Sequence, residues 1–410
     1  MKSLNLSIAV SGMSVLTLAG APEISQFSVT QEKQTRIVNV SYTLSEPAIV
    51  TMEFFTNGVP INVHDVRNID GTLNALVPAG SYTHRWVPYK DVPGGGKVAD
   101  AQVKVTAWPT NSPPLYMAVD LTHQGGDIHF YPSAEALPYA LTDDIWKTDR
   151  LLLRRIYATG VEWRMGASQT DGLAEATGEE AHLVTLTNDY YMGIYEFTQG
   201  QIKHVIGSTC GSFTDDLRNP ANSMSPNALR GAMGAGGAND WPDKGHAVAA
   251  NSYVGKLRAL VDQRVEFDLP TEAQWEFAAR AGSPYRFGTS ADENTDSCTN
   301  VAWISWGGAG TGVNANGAAH PVGMLKPNAW GLYDTLGNVG EWVLNWRRSD
   351  VSKEAEIEPV GPQTGTIRMA CGGGWYWHWK YARCSARLGW AADQGRNNHG
   401  FRICAPALVK

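Results

Sequence analysis

Hydrophobic and polar positions change rhythm along this chain. From residue 22 to about 120 the pattern is that of strands. Arg36 to Tyr42 (RIVNVSY) alternates as a half-buried strand does, and Ala48 to Phe55 (AIVTMEFF) and Ala101 to Trp108 (AQVKVTAW) are β-branched or aromatic runs bounded by Pro, Gly and Asn. The simplest solution is a small two-sheet sandwich. A helical patch is expected over Asp143 to Ile156, with Asp144 near its start and two arginines near its end, as a helix dipole favours. Residues 121–160 then read as a linker. From Val161 the texture shifts to short strands and many Gly and Asn turns. One helix stands out in LPTEAQWEFAARAG (269–282): Thr271 and Gln274 form a capping box, and Ala281-Gly282 stops it. Ala247 to Leu260 is a second candidate helix. No internal repeat is visible.

The N-terminus reads as an export signal. Lys2 is followed by a mostly apolar stretch, Leu4 to Leu18, and by the small residues Ala19-Gly20-Ala21. The other reading is a buried N-terminal strand. Export predicts a secreted, periplasmic or cell-surface protein, with residues 1–21 removed. No stretch reaches the ~18 apolar residues of a membrane span. With 43% hydrophobic and 18% charged residues the chain is ordinary globular material, and 43 glycines and 15 tryptophans point to loops held by aromatic plugs. The net charge is −7 without a basic run, which excludes a nucleic-acid partner. Five cysteines (Cys210, Cys298, Cys371, Cys384, Cys404) leave at least one unpaired. Cys384 with Cys404 would staple the C-terminal segment, but spacing leaves the pairing open.

Several segments occur in a telling order: VEWRMG (161–166), YYMGIYEFT (190–198), LPTEAQWEFAARAG (269–282), NAWGLYDTLGNVGEW (328–342) and the closing GFRIC (400–404). Together they resemble the formylglycine-generating enzyme (sulfatase-modifying factor) family over about 161–406. The resemblance implies an α+β, C-type-lectin-like core: a small twisted antiparallel sheet, two helices and long loops. The all-β segment before it resembles a fibronectin type III sandwich.

The resemblance also says where chemistry would sit. Family enzymes use two cysteines five residues apart, just after a Gly-Gly-Ser-aromatic turn, to bind copper and oxidise a sulfatase cysteine. Aligning Gly372-Gly373-Gly374-Trp375 with that turn puts Trp377 and, nearby, Ala382 where the thiols belong. Soft Cu(I) needs thiolate or thioether ligands, which indole does not replace, so copper and a catalytic residue are not expected. The ten histidines lack the ligand spacing of the related iron-dependent sulfoxide synthases. Structural Ca²⁺ is implied at Asn338, Val339, Gly340 and Glu341, through Asn and Glu side chains and backbone carbonyls. Gly340 stands where the family has an aromatic. A second family calcium site would use Asn300 and Val301, with Asn314 in place of its aspartate.

What remains at the C-terminus is GGGWYWHWKYARCSARLGWAADQGRNNHGFRIC (372–404). If Trp375 to Tyr381 is extended, Trp375, Trp377 and Trp379 share one face and Tyr376, His378 and Lys380 the other. Trp330, Trp342, Trp346 and Trp390 compete for the same core, so some aromatics must reach the surface. An aromatic cluster rimmed by polar residues is a recognition surface. Its expected residues are Tyr376, Trp377, His378, Trp379, Tyr381, Trp390, Asp393, Arg396 and Asn398. Arg402 reads as a brace, and Arg396 with Asn397-Asn398-His399 as exposed. The frame also resembles the variable proteins of diversity-generating retroelements, whose hypervariable patch lies between a Gly-Gly-Ser-Trp start and a Gly-Phe-Arg end. Tyr376, His378, Tyr381, Asp393, Arg396 and Asn398 are types that adenine-directed mutagenesis of Asn codons can yield, while Trp377 and Trp379 are harder to obtain that way, which argues against it. The expectation is a non-catalytic scaffold for a protein or carbohydrate ligand. The alternative is an oxidoreductase of the same family acting on an exported protein.

Overall fold

The computed structural model describes residues 8–9, 14–16, 22–56, 59–61, 69–91, 101–167, 179–231, 248–288, 295–306, 312–348 and 354–408. Two compact units emerge: Met1–Ala118 with Ile128–Asp143 and Ala407–Lys410, and Val119–Asp127 with Asp144–Pro406.

In the first unit, Val38–Leu44 lies between Ile24–Gln31 and Gly80–Trp86, antiparallel to both. A second sheet centres on Ala48–Thr56, flanked by Ala101–Trp108 and Ala75–Val77. The alternation in 36–42 does what it predicts: Val38, Val40 and Tyr42 point inward and meet Val50, Met52, Phe54, Val103 and Val105 around Trp86 in one core. The indole N–H of Trp86 donates to Asp91 Oδ2 at 2.9 Å, so its burial leaves no orphan donor. The short strands Ile8–Ala9 and Ser14–Leu16 pair with Ile24–Gln31 and Ala101–Trp108.

The second unit mixes small sheets, short helices and long loops. Arg150–Ile156, Tyr190–Gly193 and Cys404–Pro406 form one antiparallel ribbon. The helical patch expected over 143–156 is therefore a single turn, Ile145–Thr148, followed by a strand that belongs to this unit rather than to a linker. Leu151, Leu152, Leu153 and Ile156 are all buried. A short continuous apolar run carries no period that separates a buried strand from a helix. The capping box at Thr271 is present, with the Gln274 N–H donating to Thr271 Oγ1 (3.2 Å) and the Thr271 N–H to Gln274 Oε1 (3.0 Å). It starts the helix Glu272–Arg280, which ends on Ala281 in the left-handed region. The second candidate helix is shorter, Tyr253–Leu260, because Ser252 caps it; residue 247 lies outside the described residues.

A four-stranded sheet carries the C-terminal segment, in the order Leu388–Ala391, Ile367–Cys371, Gly340–Trp346, His399–Gly400. Trp275 and Ala279 of the capped helix pack under it with Cys298, Val343, Met369, Cys371 and Cys384. All five cysteines are free, so Cys384 and Cys404 form no staple. Cys404 sits in the ribbon with Tyr190–Gly193, while Cys384 belongs to the core under the other sheet. No helix among the described residues is long and apolar enough to cross a membrane.

Candidate functional site

The site is built on a glycine turn. Ile367–Cys371 ends at Gly372 and Gly373, both left-handed (φ 85° and 77°). A Cβ on Gly372 would lie 2.6 Å from the Thr335 carbonyl, so only glycine fits. The turn is clamped by Gly337 N–H to Gly372 O (2.7 Å) and Trp375 N–H to Asn338 O (2.7 Å). Trp375 is 4% exposed and plugs a core of Ala315, Ala319 and Val339, with Phe213 edge-on at 5.5 Å.

Beyond Trp375 the chain turns instead of extending. Trp377 N–H donates to Gly374 O (2.9 Å), and Trp379–Tyr381 is a 3₁₀ turn that His378 caps through Nδ1. Ser305 holds the turn from outside, donating N–H to Trp377 O (3.0 Å) and Oγ–H to Tyr376 O (2.8 Å). The three tryptophans therefore do not share a face. Trp375 is core, while Trp377, Trp379 and Trp390 are each half-buried and Tyr376 is 41% exposed. Trp377 touches Tyr376 (6.0 Å), Tyr381 (5.7 Å) and Trp390 (5.4 Å). His378 and Trp379 adjoin each other on the far side, near Phe287. Burial, then Lys380, lowers the His378 pKa, so its ring is neutral at pH 7.

Asp393, Gln394, Arg396 and Asn397 are exposed, and the Arg396 guanidinium lies 5.3 Å from the Trp390 ring. Asn398 and His399, expected outside, are buried. His399 stacks on Trp342 (4.9 Å) and meets Trp390 edge-on (4.1 Å), with Nδ1 2.9 Å from Asn398 Oδ1. Its pKa falls to about 3, first through burial and then through Arg396. Gly340 is the reason the ring fits: it pairs with His399 across parallel strands, and a Cβ there would lie 3.1 Å from His399 Cδ2.

Three arginines of the segment are braces. Arg402 straddles Glu341 (Nη2–Oε1 2.6 Å) and donates to the Gly193 and Tyr333 carbonyls. Arg383 pairs with Glu179 (2.7 Å), and Arg387 with Glu272.

The cation site implied at Asn338–Glu341 does not fit this arrangement. Both Glu341 oxygens are engaged by Arg402, and Oε2 also accepts from Trp275 Nε1 (2.6 Å). Asn338 accepts the His320 N–H on Oδ1 and donates Nδ2 to Glu196 Oε2 (2.7 Å). Val339 N–H donates to Glu196 Oε1 (3.0 Å), and Gly340 N–H to Asn398 O (2.8 Å). The side-chain donors are spent on protein partners. At the second implied site, Asn314 Oδ1 accepts from Ile304 N–H and its amide donates to Ala302 O, tying its own loop.

Sequence reasoning missed two features. Trp306 is 52% exposed and edge-on to His378 (5.4 Å); nothing in its local sequence separates it from a core tryptophan. Glu196 and Asp334 are buried near Glu341, and burial raises both carboxyls, Asp334 to about 6. Both acids lie in segments quoted for other reasons, YYMGIYEFT and NAWGLYDTLGNVGEW. The buried thiols are pushed up by burial, Cys298 and Cys384 to about 12 and Cys371 well above its usual value.

Residues 155–407, more than half of the chain, match the family of sulfatase-modifying factor enzyme 1-like domains. The formylglycine-generating enzyme of Thermomonospora curvata is 35% identical over 178 residues, 41% of this chain and 54% of that protein. That of Mus musculus is 34% identical over 146 residues, 34% of this chain and 39% of that protein. The chain thus spans about two fifths to half the length of these relatives. The chaperone protein LppX of Paenibacillus barcinonensis is 30% identical over 217 residues, 47% of this chain and 71% of that protein. Among solved structures, Treponema denticola variable protein 1 is similar in fold, with TM-score 0.50 and 21% identity over 63% of this chain and 95% of that one.

Proposed function

The chain belongs to the sulfatase-modifying factor family, and from that premise we propose that it is an exported binding protein rather than an oxidase. Its ligand face is the half-exposed aromatic cluster of the C-terminal segment. One observation carries this reading: Trp377 stands where the family resemblance expects the first copper-binding thiol, and it joins Tyr376, Tyr381 and Trp390 in a surface cluster. Aromatic anchors with a polar rim give binding energy and orientation without chemistry. The remaining thiols support the same reading. Cys371 and Cys384 are buried in an apolar core with raised pKa values, so neither offers a thiolate to a metal or substrate at neutral pH. The N-terminal unit is read as a fibronectin-III-like sandwich.

The test has two arms. The full chain is incubated with Cu(I), oxygen and a CxPxR peptide, and no aldehyde is expected. A displayed peptide library and a glycan array are then screened with the native chain and with Trp377→Ala and Trp390→Ala. Ligands retained by the native chain and lost by both folded variants support binding. Aldehyde formation abolished by Cys371→Ser or Cys384→Ser would restore the oxidase reading.

A further inference from the structure

Leu388–Ala391 is the outer strand of its sheet, and all four of its residues are partly exposed. Its register with Ile367–Cys371 is set from Ile367↔Ala391 to Ala370↔Leu388. Ala391 O accepts from Gln394 N–H (3.0 Å) and Ala392 O from Asn227 N–H (3.0 Å), while Leu388, Gly389 and Trp390 make no hydrogen bond beyond that pairing to any described residue. Backbone groups on the outward side of such a strand are a template for another extended chain.

Two arginines lie near this edge. Arg347 is exposed beside the strand: a Cβ built on Gly389 would lie 3.6 Å from its Cδ. Arg396 covers the Trp390 ring, and Lys380 lies 4.8 Å from the Tyr381 ring. Neither Arg347 nor Arg396 forms an ion pair with a described residue, in contrast to Arg383, Arg387 and Arg402. Asp393 is the exposed acid of the segment. A basic rim thus frames an open edge on a chain whose net charge is −7.

We propose that an acidic, extended segment of a partner protein adds to the sheet along Leu388–Ala391, with its carboxylates on Arg347 and Arg396 and an apolar side chain against Trp390. Backbone pairing supplies affinity, and the alternate side chains supply specificity. The inference rests on the binding reading above and narrows it to one ligand class.

The probe is a fluorescein-labelled extended peptide rich in Glu on both faces, with Val or Tyr between the acids, titrated with the full chain and followed by anisotropy. Comparison peptides carry Lys for Glu, or N-methyl groups on alternate amides. The acidic peptide is expected to bind at least tenfold more tightly than either. Its affinity should fall tenfold or more from about 50 to about 500 mM salt, as the Debye length shortens. Arg347→Glu with Arg396→Glu, exposed positions that leave the Tm unchanged, should remove binding. Equal binding of the Lys peptide, or none by the acidic one, overturns the proposal. Equal binding of the N-methylated peptide overturns the strand addition. If the library or array yields Trp390-dependent ligands while the acidic peptide does not bind, this inference falls and the binding reading stands.

Discussion

Around one sheet, arginines serve two opposite ends. Arg383, Arg387 and Arg402 point inward and end on Glu179, Glu272 and Glu341. Arg347 and Arg396 flank the same sheet from outside and end on solvent and an indole. The inner set fixes where the glycine turn sits; the outer set and the aromatics decide what the surface meets.

The contrast breaks most sharply at the inner set. Arg402→Met leaves Glu341 buried without its cation, and the expected loss is about 3–5 kcal/mol, read as a drop in the midpoint of denaturant unfolding. A loss under about 1 kcal/mol would make Arg402 no brace.

His399 and Asp334, both buried, give the next effect, and their signs differ. His399 holds its folded pKa at about 3, below 6.5, so the unfolded chain binds the extra proton between those values. Stability from this group rises with pH from about 3 to about 6.5. Asp334 has a folded pKa of about 6, above 3.8, so the folded state holds the extra proton. Stability from Asp334 falls as pH rises from about 4 to about 6. At about 1.4 kcal/mol per unit, each amounts to a few kcal/mol. In Tm-against-pH profiles, His399→Gln should remove a rise and Asp334→Asn should remove a fall. Parallel shifts in the two variants would refute the assignment.

Gly372→Ala forces a Cβ against the Thr335 carbonyl at a left-handed φ, and about 1–3 kcal/mol should be lost by the same denaturant measurement. The smallest effect on stability is expected outside the frame. Trp390→Ala removes a half-buried side chain and should cost about 1 kcal/mol while removing ligand binding. If it instead costs as much as Arg402→Met, the outer cluster is core and the contrast between the two regions disappears.

What could be read from the sequence was local. The capping box at Thr271 and Gln274, the alternation of Val38, Val40 and Tyr42, and the family segments from VEWRMG to GFRIC each specify structure within a few residues. The strand over Leu151 to Ile156 was not legible, because only its partner Tyr190–Gly193 makes it a strand. The alternation of Trp375, Trp377 and Trp379 misled for a related reason. Gly374 and Ser305 bend that stretch into a turn, and Ser305 lies some seventy residues away in sequence.

Family membership and the glycine turn were therefore legible in residue identity at fixed spacing, as was Trp377 at the position where the resemblance expects a thiol. Which aromatics stay half-buried, that His399 sinks beside Gly340, and that Leu388–Ala391 lies outermost in its sheet came only with tertiary packing. Exposure and unpaired charge depend on which distant segments arrive to cover or neutralise a side chain, and no local pattern encodes that arrival.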